Sequence, residues 1–179
     1  MKKFGLFFGL AVLAGRLVIA AELEQRTIQT DGEKFALSVP KEWPAFETIK
    51  TKRNTIYYRI GPADTNYSIQ LDFNNPLHTG TNRPVDTELE RWLQNTLKPV
   101  LRVTIEKEVK AQRFGGQKEG VYARLTDPAP KTGEYEFYSQ GIRLIGTNVL
   151  VFALVSNDKD FLALSNTLAV VESVRTLKR

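Results

Sequence analysis

His78 is the only histidine in this chain of 179 residues, and there is no cysteine. Zinc and copper sites draw most of their ligands from those two residue types, so no transition-metal centre is expected. Nucleophilic catalysis is limited in the same way. Without a thiol only a Ser–His pair could act, and no serine stands in the G-x-S-x-G setting of a nucleophile elbow. Glu106 with Glu108, and Glu134 with Glu136, are spaced to share one side of a strand, and a carboxylate pair can hydrolyse a glycoside. Neighbouring charges on a solvated strand face are the ordinary case, however, and no catalytic residue is assigned. In "NDKD", Asn157, Asp158 and Asp160 lack the glycine turn and distal glutamate of a calcium loop, and at the head of a helical pattern they read as cap residues. Gly115, Gly116 and Gly120 lie between two strand patterns, where they are turn glycines rather than a phosphate cradle. No cofactor is expected.

Recognition has two candidate places. The stretch "NNPLHTGTNRPVD", residues 74–86, has no periodicity, and an irregular connection of that length in a compact domain is often functional. Pro76 and Pro84 stiffen its ends, Asn82 and Arg83 offer donors, and Leu77 and His78 supply an apolar and a titratable group near its tip. Leu77, His78, Asn82 and Arg83 are therefore the candidate partner-binding residues, and the equal alternative is a solvated crossing from strand to helix. The second place is Trp43, between Pro40 and Pro44. The prolines fix the backbone and remove ladder donors, which takes the chain out of the sheet there. A ring so held is expected to fold over the sheet end beside Phe46, as a structural residue and not a ligand platform. The basic run "KTKR", Lys50 to Arg53, reads as a solvated loop.

The chain begins with Lys2 and Lys3, an apolar run from Phe4 to Ala14, and the small residues Ala20 and Ala21. That is the pattern of a secretory signal peptide. The apolar run is about half the roughly 20 residues of a membrane span. Residues 1–21 are thus expected to be the signal, with the mature protein starting near Glu22 and working in the periplasm or outside the cell. Arg16 is unusual in such a leader, and an uncleaved anchor is the alternative. The formal charge of +5 contains Lys2, Lys3 and Arg16, so 22 basic and 20 acidic residues remain beyond the leader, a net of +2. Such a balance gives little support to binding nucleic acid or an anionic membrane, and with the short apolar run removed no stable membrane insertion is expected. With no disulfide available, the core alone must hold the fold.

Residues 22–179 fit one domain. Alternation places Phe35, Leu37 and Val39 on one strand face, as it does Ile56, Tyr58 and Ile60, and Tyr67, Ile69, Leu71 and Phe73. Leu101, Val103 and Ile105 alternate too, within a strand expected from about Val100 to Arg113, and so do Val121, Ala123 and Leu125. "VLVFALV", residues 149–155, is apolar on both faces and predicts a central strand, reached by a turn through Gly146, Thr147 and Asn148. "TELERWLQNTLKP" predicts a helix. Thr87 and Glu90 have capping-box spacing, Leu89, Trp92, Leu93 and Leu97 form one stripe, and Pro99 is the stop. A closing helix is predicted with Phe161, Leu164, Leu168, Val171 and Val174 turned inward.

The strand "FALSVP" followed by "KEW", the hairpin "GIRLIGTNVLVFALVSN" and a closing helix ending "ESVR" together resemble the PsbP-like fold. That group includes the extrinsic protein of photosystem II, bacterial envelope proteins of the DcrB type and a Ran-binding nuclear import factor. The resemblance spans most of residues 33–176. It implies an α+β domain, an antiparallel sheet of about six or seven strands with helices packed on both faces, the PsbP-like α/β/α sandwich. It also implies a non-enzymatic domain that binds another protein or assists an envelope complex. The alternative is a small-molecule or lipid carrier with a gap lined by Tyr57, Tyr135 and Tyr138. A carboxylate-based hydrolase stands behind both.

Overall fold

The computed structural model describes residues 22–30, 33–50, 56–63, 67–73, 86–115, 120–146, 148–159 and 161–177. Residues 1–21, expected to be a leader, and the candidate binding residues Leu77, His78, Asn82 and Arg83 lie outside them.

β9 (Asn148–Ser156) is the organising strand, and its sequence says why. Leu150, Phe152 and Leu154 point to one side and Val149 and Val151 to the other, so it needs cover on both faces. It sits fourth in a seven-stranded antiparallel sheet of order β3-β4-β5-β9-β8-β7-β6. The neighbours are β3 (Glu47–Lys50), β4 (Ile56–Ile60) and β5 (Tyr67–Asp72) on one flank. On the other are β8 (Phe137–Ile145), β7 (Gly120–Thr126) and β6 (Gln112–Phe114). The β8–β9 turn pairs Ile145 with Asn148, and Gly146 takes the positive φ of 62° that such a tight turn demands.

A second antiparallel sheet, of order β1-β2-β10, is built from β1 (Leu23–Gln29), β2 (Lys34–Pro40) and β10 (Arg175–Leu177). Phe35, Leu37 and Val39 of β2 share a core with Ile69, Leu71, Phe152 and Leu154 of the large sheet. That core also takes Ala163, Leu164, Val170 and Val171 of helix α2 (Leu162–Ser173). Arg143 donates to the carbonyls of Val171 and Val174, which holds a cation at the negative end of α2. On the opposite face of the large sheet, Leu89, Leu93 and Leu97 of α1 (Asp86–Leu97) pack on β7 and β8 in a second core with Val121, Leu125 and Ile142.

This corrects the expected α/β/α sandwich. Among the described residues 47% are strand and 21% helix, with two α-helices and two antiparallel sheets, and the small sheet lies with α2 over one face of the large one. Two elements explain the difference. The chain leaves α2 at Val174, whose ψ of 129° is extended, and "RTL" pairs with β2 where the "ESVR" tail was expected to stay helical. The strand expected over Val100 to Arg113 is a 3-10 turn, Val100–Val103, then an irregular stretch, and only Gln112–Phe114 pairs. Val103 and Ile105 are exposed, at 66% and 55%, so their alternation reports no buried face.

Candidate functional site

Paired residues in antiparallel strands face the same side, so the register lays the large sheet out in rows. One row on the α1 side runs Glu47, Arg59, Gln70, Ala153 and Gln140, and the next runs Ser68, Val155, Tyr138 and Leu125. At the β7–β8 end these rows are closed by α1. At the β3–β5 end they are polar, and here lies a cleft of about 530 Å³. Its walls are Pro44, Ala45, Pro62, Tyr135 and Val155, and its floor carries Ser68 and Gln70. The Arg59 guanidinium and Glu47 carboxylate, 3.1 Å apart and both exposed, form one rim. That size falls within the range of ligand sites, and its apolar walls over a few polar groups are their usual composition.

Two local features shape the cleft. Gly61 continues β4 past the ladder, and a Cβ there would stand 2.9 Å from the Tyr67 carbonyl oxygen, so only glycine lets the strands approach this closely. Ser68 is half-buried as a residue, but its Oγ is shielded and has no hydrogen-bond partner. A buried hydroxyl left unmatched costs about 1–3 kcal/mol, and such a group in a native fold requires an explanation.

Trp43 stands behind the cleft and not in it. It is 4% exposed, its ring meets Tyr67 edge-on at 5.8 Å, and its backbone N–H donates to the Pro40 carbonyl. Arg26 of β1 donates to the carbonyls of Trp43 and Pro44, which ties the small sheet to the turn that forms the cleft wall. Phe46 lies against the same core, edge-on to Tyr58.

The other sequence candidates are dispersed. Glu106 accepts from the N–H and hydroxyl of Thr126, fixing the irregular stretch to β7 rather than joining Glu108, which is 3.6 Å from Lys110. Glu136 pairs with Lys159. Asp158 accepts the Ala163 N–H at 2.6 Å and so caps α2, while Asn157 accepts the Glu136 N–H; Asp160 lies outside the described residues. Phe161, expected to turn inward, is 54% exposed in a left-handed conformation, with the Arg124 guanidinium held between its ring and that of Phe137. Burial lowers the Arg124 pKa, and Asp158, Glu136 and Glu106 oppose that shift.

Of the three tyrosines proposed to line a carrier gap, Tyr135 alone borders the cleft. Tyr138 is packed into the α1 core with its hydroxyl donating to Gln140 Oε1, and burial pushes its phenol above the ordinary 10.0. The folded chain therefore keeps a proton that the unfolded chain releases, so stability falls as pH rises above about 10. Tyr138→Phe should flatten the decline in urea midpoint above that pH. An unchanged slope in the variant would contradict the assignment.

The cleft itself was not legible in the sequence. Its parts come from the Trp43 turn, the end of β4, the start of β5 and the β7–β8 connection, and only the Gly61-Pro62 pair marks a special backbone. No protein-family model matches the chain, and neither does any curated protein.

Proposed function

We propose that the chain is an exported, non-catalytic domain that binds another protein, and that the cleft at the β3–β5 end of the large sheet is its recognition site. One observation carries the reading: an apolar-walled cleft on the part of the sheet that α1 leaves open. Export rests on Lys2, Lys3, the apolar run and the Ala20-Ala21 pair, with periplasm or exterior as the site of action. Among the described residues no helix is long and apolar enough to cross a membrane. Glu106 and Glu136 are engaged by the Thr126 backbone and by Lys159, and neither lines the cleft.

Capture tests this. A photo-crosslinking side chain in place of Ala63, exposed beside the cleft wall, should attach one defined envelope protein in the exporting cell. The same side chain in place of Gln94, exposed on α1, should not. Equal capture at both positions, or capture at Gln94 alone, would reject the site.

A further inference from the structure

We infer that Arg26 is a latch through which strand β1 sets the wall of the cleft, so that docked β1 and a formed cleft belong to one state of the protein, and detached β1 and a released wall to another. This rests on the cleft being the recognition site and adds how that site is controlled. The wall at Pro44 and Ala45 lies between β2 and β3, where no strand ladder holds the chain. Trp43 and Phe46 anchor it through their rings, and among the described residues Arg26 is the only side chain that bonds its backbone. Nη2 of Arg26 donates to the Trp43 carbonyl, Nη1 to the Pro44 carbonyl and Nε to Glu24 Oε1, with the Phe46 ring centre 5.8 Å from the guanidinium. The Arg26 side chain is 14% exposed, so moving the turn alone would strip a largely shielded cation of two acceptors. The turn and β1 therefore move together. β1 is the element suited to release: among the described strands it pairs with β2 alone, and only Ile28 of its residues is buried, whereas β9 is paired on both sides. A partner that needs the wall in place favours docked β1, and by reciprocity whatever loosens β1 weakens the partner's hold.

Amide exchange and capture test this. In Arg26→Met, which keeps an apolar stem and removes every donor, the Ala45 and Phe46 amide signals should shift and exchange in β1 should quicken at least tenfold, while Phe152 and Leu154 keep their wild-type rates. Arg26→Lys, with one compact charge in place of a forked donor, should lie between. Lys41→Ala removes an exposed ion pair to Glu22 at the same end of β1 and should leave Ala45 and Phe46 unmoved. The wall should act on β1 in turn: Pro44→Gly, which frees the turn, should quicken exchange in β1 at least threefold. Should Arg26→Met loosen the core as well, Arg26→Lys and Pro44→Gly carry the same comparison. Capture from Ala63 should fall at least threefold in Arg26→Met. Unmoved Ala45 and Phe46 signals in a folded Arg26 variant, or unchanged β1 exchange in Pro44→Gly, overturn the latch. If wall and β1 respond but capture stays at wild-type yield, β1 does not govern the site, and the inference falls while the site stands. If the wild type captures nothing, the site reading falls, and the exchange responses still decide the latch.

Discussion

Replacing Trp43 by alanine should destabilise the domain by about 3–5 kcal/mol, the usual cost of removing a buried aromatic ring. At this chain length that corresponds to a fall of roughly 10 °C in the thermal midpoint. The magnitude follows from position. Trp43 is nearly inaccessible, packs on Tyr67 of β5 and belongs to the core shared by the two sheets. Its carbonyl and that of Pro44 hold the Arg26 guanidinium, so a shift of the turn would also disturb the attachment of β1. Trp43→Phe should recover most of the loss. A Trp43→Ala protein melting within 2 °C of wild type would show that the ring does not support the fold, and would return it to consideration as a ligand platform.

An added methyl group should do comparable damage at Gly141. A Cβ there would lie 2.3 Å from the Phe152 ring and 2.8 Å from the Val121 carbonyl oxygen. Phe152 is fully buried and meets Phe114 edge-on at 5.6 Å, so its ring has no free space to enter, and the carbonyl belongs to the β7 backbone. Gly141→Ala should therefore cost about 3 kcal/mol, at the upper end of overpacking penalties. The share owed to the ring can be separated from that owed to the Val121 carbonyl by a cycle. In a Phe152→Ala background the ring is gone, and Gly141→Ala should cost less than half as much. Equal costs in both backgrounds would mean that the glycine is needed for something other than the ring above it.

Local patterning revealed the elements whose burial is dictated locally. The two-faced run of β9, the leucine stripe of α1 and the glycine turn between β8 and β9 were all readable, because each is a periodic or conformational demand made by adjacent residues. β1 was not read, since in "LEQRTIQ" only Ile28 is buried and the strand exists by pairing with β2 along its whole length. β10 was hidden for the same reason, its three residues being fixed by Lys34, Phe35 and Ala36 across a long chain separation. Without those two strands β2 falls into the large sheet and the helices are left as the only cover for its faces, as in the sandwich that the PsbP-like resemblance implied. The site was less legible still. A floor made by Ser68 and Gln70 is an ordinary polar strand face until the register shows that α1 stops short of it.

The central claim is that this chain acts by holding a protein segment in the β3–β5 cleft. The most direct measurement is the yield of the protein captured from position Ala63 when Ala45, an exposed residue of the cleft wall, is changed to tryptophan to fill the space. Surface substitutions of this kind seldom move stability by more than about 0.5 kcal/mol, so the filled variant should fold and melt as the wild type does. The account predicts that capture falls at least tenfold in Ala45→Trp with the thermal midpoint unchanged. Capture at wild-type yield from a folded, cleft-filled protein would contradict it.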